Sequence, residues 1–157
     1  PHHKEQIFQA LLDNRIDVIA TDHAPHTWEE KSKSYWEAPS GLPLVQHSLN
    51  IMLDFVQQGK ISMERVVEKM CHAVADVFQI DRRGYIREGY WADLMLVDLD
   101  QKTTVSKDNI LFKCGWSPLE GTTFQSCITH TIVSGHLVYA NGVFDESEKG
   151  KRLRFIR

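Results

Sequence analysis

The sequence predicts a mixed α/β fold in two parts. Three observations carry this: a helix, strand, loop, helix order over residues 1–80, a change of hydrophobic period near residue 80, and short strands with tight-turn dipeptides after it. Lys4 to Leu12 places Ile7, Ala10, Leu11 and Leu12 on one side of a short helix. Ile16-Asp17-Val18-Ile19-Ala20 is a compact β-branched run that reads as a buried parallel strand. A polar segment from Asp22 to Gly41 leads into a second helix, Leu42 to Gln58, where Leu44, Val45, Leu49, Met52, Leu53 and Val56 recur at helical spacing and Gly59 supplies the stop. Ser62 can N-cap a third helix with Val66, Val67, Met70 and Cys71 on one stripe, and Ala73 to Phe78 forms a further short turn.

From Gly84 onward the pattern predicts a small β subdomain over residues 81–157, with strands at Ala92–Val97, Thr103–Val105, Cys127–Val133 and His136–Tyr139. Ser134-Gly135 and Asn141-Gly142 mark hairpin turns, because both dipeptides tolerate the positive φ such turns require. Asp145 to Lys151 is charged and expected in solvent.

Composition narrows the function. A chain of 157 residues with 42% hydrophobic and 25% charged residues can bury a core and is not a disordered segment. Eighteen Lys and Arg against 21 Asp and Glu leave a net charge of -3, with no basic surplus to attract nucleic acid or anionic lipid. The expected partner is therefore a small molecule, not nucleic acid or a membrane. Homo-oligomerisation is compatible with the sequence. With no apolar run near the roughly 18 residues of a membrane span and no signal-peptide pattern, the expected location is cytoplasmic. Cys71, Cys114 and Cys127 match neither a disulfide framework nor a zinc knuckle, and are expected as reduced, buried thiols.

The candidate chemistry lies in Ile19-Ala20-Thr21-Asp22-His23-Ala24-Pro25-His26, where a hydrophobic run meets Asp, His and His. In parallel α/β folds the C-terminal strand ends gather ligands and catalytic groups. Asp22 there could ligate a divalent metal, act as a general base, or cap the following turn through an Asx-type hydrogen bond. Pro25 makes the His23–His26 stretch a loop, so the two histidines are not implied to share a metal; either could bond a substrate carboxylate or orient the strand end. Glu29, Glu30, Lys31 and Lys33 read as solvated charges. Pro39 fixes a bend, and Gly41 lets backbone amides approach a ligand. His47, His72, His130 and His136 are expected to be structural, and His2 and His3 to lie in an exposed N-terminal loop. Cys114-Gly115-Trp116-Ser117-Pro118 reads as a packed turn with an aromatic anchor.

Asp17 through His26, followed by Ala38-Pro39-Ser40-Gly41, resembles the C-terminal portion of the dihydroorotases of the metal-dependent amidohydrolase superfamily. Arg87 through Asp98 is similar to that family's return strand into its small β domain, and His130 through Gly142 to its closing hairpins. The resemblance implies the C-terminal unit of a (β/α)8 metal-dependent hydrolase barrel in residues 1–80 and the C-terminal part of a small β-sandwich subdomain in 81–157. It further implies one or two zinc ions in the complete enzyme and interconversion of N-carbamoyl-L-aspartate and L-dihydroorotate. Asp22 would be metal ligand and proton shuttle, His26 would hold the substrate carboxylate, and Ser40 and Gly41 would contact the ring. Such a barrel takes roughly 250 residues. The family's other ligands, a His-X-His pair, a bridging modified lysine and two further histidines, are therefore expected outside this sequence. Allantoinase, dihydropyrimidinase and a noncatalytic amidohydrolase-like scaffold are the alternatives.

Overall fold

The computed structural model describes residues 3–156; of the two N-terminal histidines, His2 lies outside that range. Its contacts divide the chain into two compact units, each discontinuous in sequence.

The first unit takes residues 3–19, 58–98 and 128–156. Helix α1, His3–Leu12, forms where the apolar spacing predicts it and already includes His3; Leu11 is buried, but Ile7 is 60% exposed. The strand expected at Ile16–Ala20 is not formed, because a strand needs a neighbour to close its ladder and no described residue supplies one. The segment is fixed instead to a helix: the Ile19 N–H donates to the Lys69 carbonyl at 3.1 Å, and Lys69 Nζ donates to the Ile16 carbonyl at 2.8 Å.

That helix runs from Met63 to Val77 as α4 (Met63–Val67), a π-helical turn (Glu68–His72) and α5 (Ala73–Val77). The Ser62 hydroxyl caps it as expected, accepting from the Arg65 N–H at 3.2 Å. The expected stripe is only partly kept. Val66 is buried while the adjacent Val67, about 100° round the helix, is 38% exposed; Lys69, three residues after Val66 and on the same face, is 3% exposed.

Further along, β1 (Leu94–Asp98), β4 (Cys127–Val133), β5 (His136–Ala140) and β6 (Val143–Phe144) form one four-stranded sheet in the order β1-β4-β5-β6. A separate two-stranded sheet also lies within residues 81–157, and no closed barrel is present among the described residues. Both predicted turns are built as read: Ser134 and Gly135 have φ of 53° and 90°, and Asn141 and Gly142 have 47° and 90°. Buried Arg83 ties the first hairpin down, pairing with the Asp93 carboxylate and donating to Ser134 Oγ at 3.1 Å, while Asp93 accepts the Ser134 N–H at 2.7 Å. The segment from Asp145 to Lys151 is exposed, as its charge predicts.

The second unit takes residues 20–57 and 99–127. It contains α2 (Trp28–Lys31), a 3-10 turn (Val45–His47) running into α3 (Ser48–Gln57), and the short antiparallel pair β2 (Thr103–Thr104) and β3 (Thr123–Phe124). Its core comprises Met52, Leu53, Val105 and Phe124, with buried Asn50 donating to the Ser126 carbonyl at 3.2 Å. The helix expected from Leu42 begins only at Val45, because Leu42 bridges to His23 and Pro43 disfavours helical geometry at the residue before it. Among the described residues no helix is long and apolar enough to cross a membrane. The three cysteines form no disulfides, as expected, and are half-buried.

Candidate active site

Both loops of the candidate site belong to the second unit, and the backbone lays one beside the other. His23 and Leu42 form a parallel bridge, and the Ala24 N–H donates to the Leu42 carbonyl at 3.0 Å. Gly41 makes the approach possible: its φ is +99°, and a Cβ there would stand 2.4 Å from the Ala24 Cβ. Asp22 and His26 on one loop are thereby brought to the same stretch of surface as Ser40 and Gly41 on the other.

Asp22 is exposed, and its carboxylate has no hydrogen-bond partner among the described residues. The turn-capping role open to it in the sequence is not formed. Its φ of +46° is a left-handed conformation that Asp tolerates better than bulkier residues. A free carboxylate on a constrained backbone can accept a proton or bind a cation.

His26 is held from two directions. Its carbonyl accepts the Trp116 indole N–H at 2.8 Å, and its Nδ1 stands 3.7 Å from Glu30 Oε2. Trp28 packs edge-on against Trp116 at 5.6 Å between centroids. The aromatic anchor expected at Trp116 thus has a specific object, the backbone of His26.

His23 turns its Nδ1 to the backbone, accepting the N–H groups of Leu44 at 3.1 Å and Val45 at 3.3 Å. Backbone amides only donate, so Nδ1 is the acceptor and the ring proton sits on Nε2. His23 therefore caps the start of the 3-10 turn, a task normally done by a Ser or Asp adjacent in sequence. The ring also leans on Phe112, with centroids 5.1 Å apart.

Two of the four charges read as solvated, Glu30 and Lys31, have structural work. Glu30 closes a capping box on Thr27, its carboxylate accepting the Thr27 N–H at 2.8 Å, and that bond holds its pKa below the usual carboxylate range. Lys31 donates to the Pro39 carbonyl at 2.6 Å and closes the 31–39 loop. The Thr27-x-x-Glu30 spacing was the signal that could have shown the first of these. His47 is structural as expected: 5% exposed, it stacks on Phe124 at 6.0 Å, and burial pushes its pKa down.

Residues 2–138 match the model of the amidohydrolase family. The chain belongs to that family. Among related amidohydrolases, the dihydroorotase of Halobacterium salinarum is 45% identical over 118 residues, which cover 75% of this chain and 28% of the relative. The dihydroorotase of Pyrococcus furiosus is 33% identical over 155 residues, covering 98% and 36%. In structure, the L-hydantoinase (dihydropyrimidinase) of Arthrobacter aurescens matches with a TM-score of 0.81 at 31% identity, over 89% of this chain and 32% of that one. The D-hydantoinase of a Thermus species matches with a TM-score of 0.84 at 24% identity, over 90% and 32%, a likeness of fold. The chain spans about a third of the length of these relatives.

Amidohydrolases of this kind are metal-dependent, and the described residues do not fit a metal centre by themselves. Among them no group of three or more His, Cys, Asp or Glu side chains is gathered to hold an ion. A catalytic zinc takes three protein ligands and an open position. His23 is committed to the backbone through Nδ1, which leaves Asp22 as the carboxylate this loop can offer a metal.

Proposed function

We propose that the chain is the C-terminal portion of a zinc-dependent dihydroorotase, interconverting N-carbamoyl-L-aspartate and L-dihydroorotate in pyrimidine biosynthesis. The observation that carries this is the pairing of the Asp22–His26 loop with Ser40–Gly41, in a chain 45% identical to a dihydroorotase over its matched length. Residues 1–80 then contribute the last strand and helices of the barrel, and 81–157 the C-terminal part of the small β subdomain.

A zinc ion held by Asp22 together with ligands from elsewhere in the complete polypeptide would supply Lewis acidity at the ring carbonyl. This chain supplies the rest of the reading. Asp22 adds one oxygen ligand, takes a proton from the attacking water and returns it to the departing ring nitrogen. His26 binds the substrate carboxylate through a charge-assisted bond, and the backbone at Ser40 and Gly41 meets the ring.

A second reading, a dihydropyrimidinase, is favoured by the structural match to the Arthrobacter aurescens enzyme. Dihydropyrimidines carry no carboxylate for His26, so substrate choice separates the two. The direct test is Asp22→Asn in the complete enzyme, assayed for ring opening of dihydroorotate. Turnover should fall at least about a hundredfold with folding unchanged, because an amide is a poor proton acceptor. Activity within a few-fold of wild type would remove Asp22 from the chemistry.

A further inference from the structure

We infer that His23 and Trp116 are the positioning residues of this site, two pins that set where Asp22 and His26 stand relative to each other; the catalytic consequence rests on the dihydroorotase reading above. Asp22 and His26 lie on one short loop with opposite tasks, one handling a proton and the other a carboxylate. Such a pair works only if the loop between them holds its shape, since a misplacement of about 1 Å can cost a hundredfold in rate. Only Ala24 and Pro25 lie between the residues that the two pins hold.

His23, next to Asp22, is fastened through Nδ1 to the N–H groups of Leu44 and Val45. Those two bonds join the Asp22 loop to the segment leading out of Ser40 and Gly41. They also remove two unpaired donors from the start of a helical turn. At the other end, the Trp116 indole N–H holds the His26 carbonyl at 2.8 Å. Trp116 is itself seated by Trp28. Neither pin reaches out toward a substrate through the bond described: Nδ1 of His23 and Nε1 of Trp116 are both spent on backbone atoms. Their effect on catalysis is through Asp22 and His26.

The two pins make separable predictions. The Asn side chain places its Oδ1 where His carries Nδ1, whereas Phe keeps a ring against Phe112 but has no acceptor. In the complete enzyme, His23→Phe should speed hydrogen exchange at the Leu44 and Val45 amides by about tenfold or more and lower kcat/KM for dihydroorotate, and His23→Asn should recover most of both. Trp116→Phe keeps the aromatic contact with Trp28 and loses the N–H. It should raise KM for dihydroorotate about fivefold with kcat within about twofold, and leave the binding of dihydrouracil, which has no carboxylate, unchanged.

Two outcomes overturn the proposal. One is amide exchange that is the same in wild type and His23→Phe, or an Asn variant no better than Phe. The other is a Trp116→Phe enzyme that loses dihydroorotate and dihydrouracil binding equally, the signature of general damage. If the wild-type enzyme does not open dihydroorotate at all, the functional reading fails separately, and exchange at Leu44 and Val45 still decides whether His23 is a pin.

Discussion

His47 shows how the fold can use a titratable residue as an apolar ring. It is buried between Phe112 and Phe124, and its Nδ1 has no hydrogen-bond partner. Burial lowers its pKa below the ordinary value of 6.5, so the unfolded chain takes up a proton before the folded one does. The contribution of this residue to stability is therefore full above about pH 6.5 and is lost as the pH falls below it. His47→Leu should make the urea midpoint less sensitive to acid between about pH 7.5 and 5.5; an unchanged slope would show that His47 carries no protonation linkage. At this scale the sequence was informative about identities and silent about tasks. Asp22–His26 and Ser40–Gly41 stand out in the sequence as two short motifs, and the structure lays their loops side by side. The work of His23 and Trp116 does not stand out, because their partners lie 21 and 90 residues away and no local pattern points to them.

Between residues and the whole, elements read well where their causes are local. The two hairpins formed as predicted because the turn dipeptides carry their own backbone preference, and Ser62 capped its helix for the same reason. The Ile16–Ala20 run failed as a strand because β-pairing is a property of neighbours, and its composition alone could not supply them. The π turn at Glu68–His72 was equally hidden, since helical spacing is continuous on either side of it. Lys69 lies within that turn and is buried, and its ammonium donates to the Ile16 carbonyl. Lys69→Met removes this bond while keeping the length of the side chain and removing a buried charge. Global stability should change by no more than about 1 kcal/mol, because the lost bond and the relieved desolvation oppose each other. Hydrogen exchange over residues 16–20 should nevertheless rise; unchanged exchange would mean that the segment is held by other contacts.

For the whole molecule, the missing element is a donor set. One free carboxylate cannot fix a tetrahedral ion or tune its reactivity, which takes several ligands held by neighbouring strands. The 157 residues alone should bind zinc no more tightly than tens of micromolar by calorimetry and should not open dihydroorotate. Submicromolar affinity with turnover would show that the site is built from other residues of this chain. The central claim, that this loop belongs to an enzyme which recognises a carboxylate-bearing ring, is tested most directly by substrate preference. The measurement is kcat/KM for dihydroorotate and for dihydrouracil in the complete enzyme and in its His26→Ala variant. The account predicts a strong wild-type preference for dihydroorotate that falls by about tenfold or more in the variant, mainly through a higher KM. Equal losses for both rings, or a wild-type preference for dihydrouracil, would contradict it.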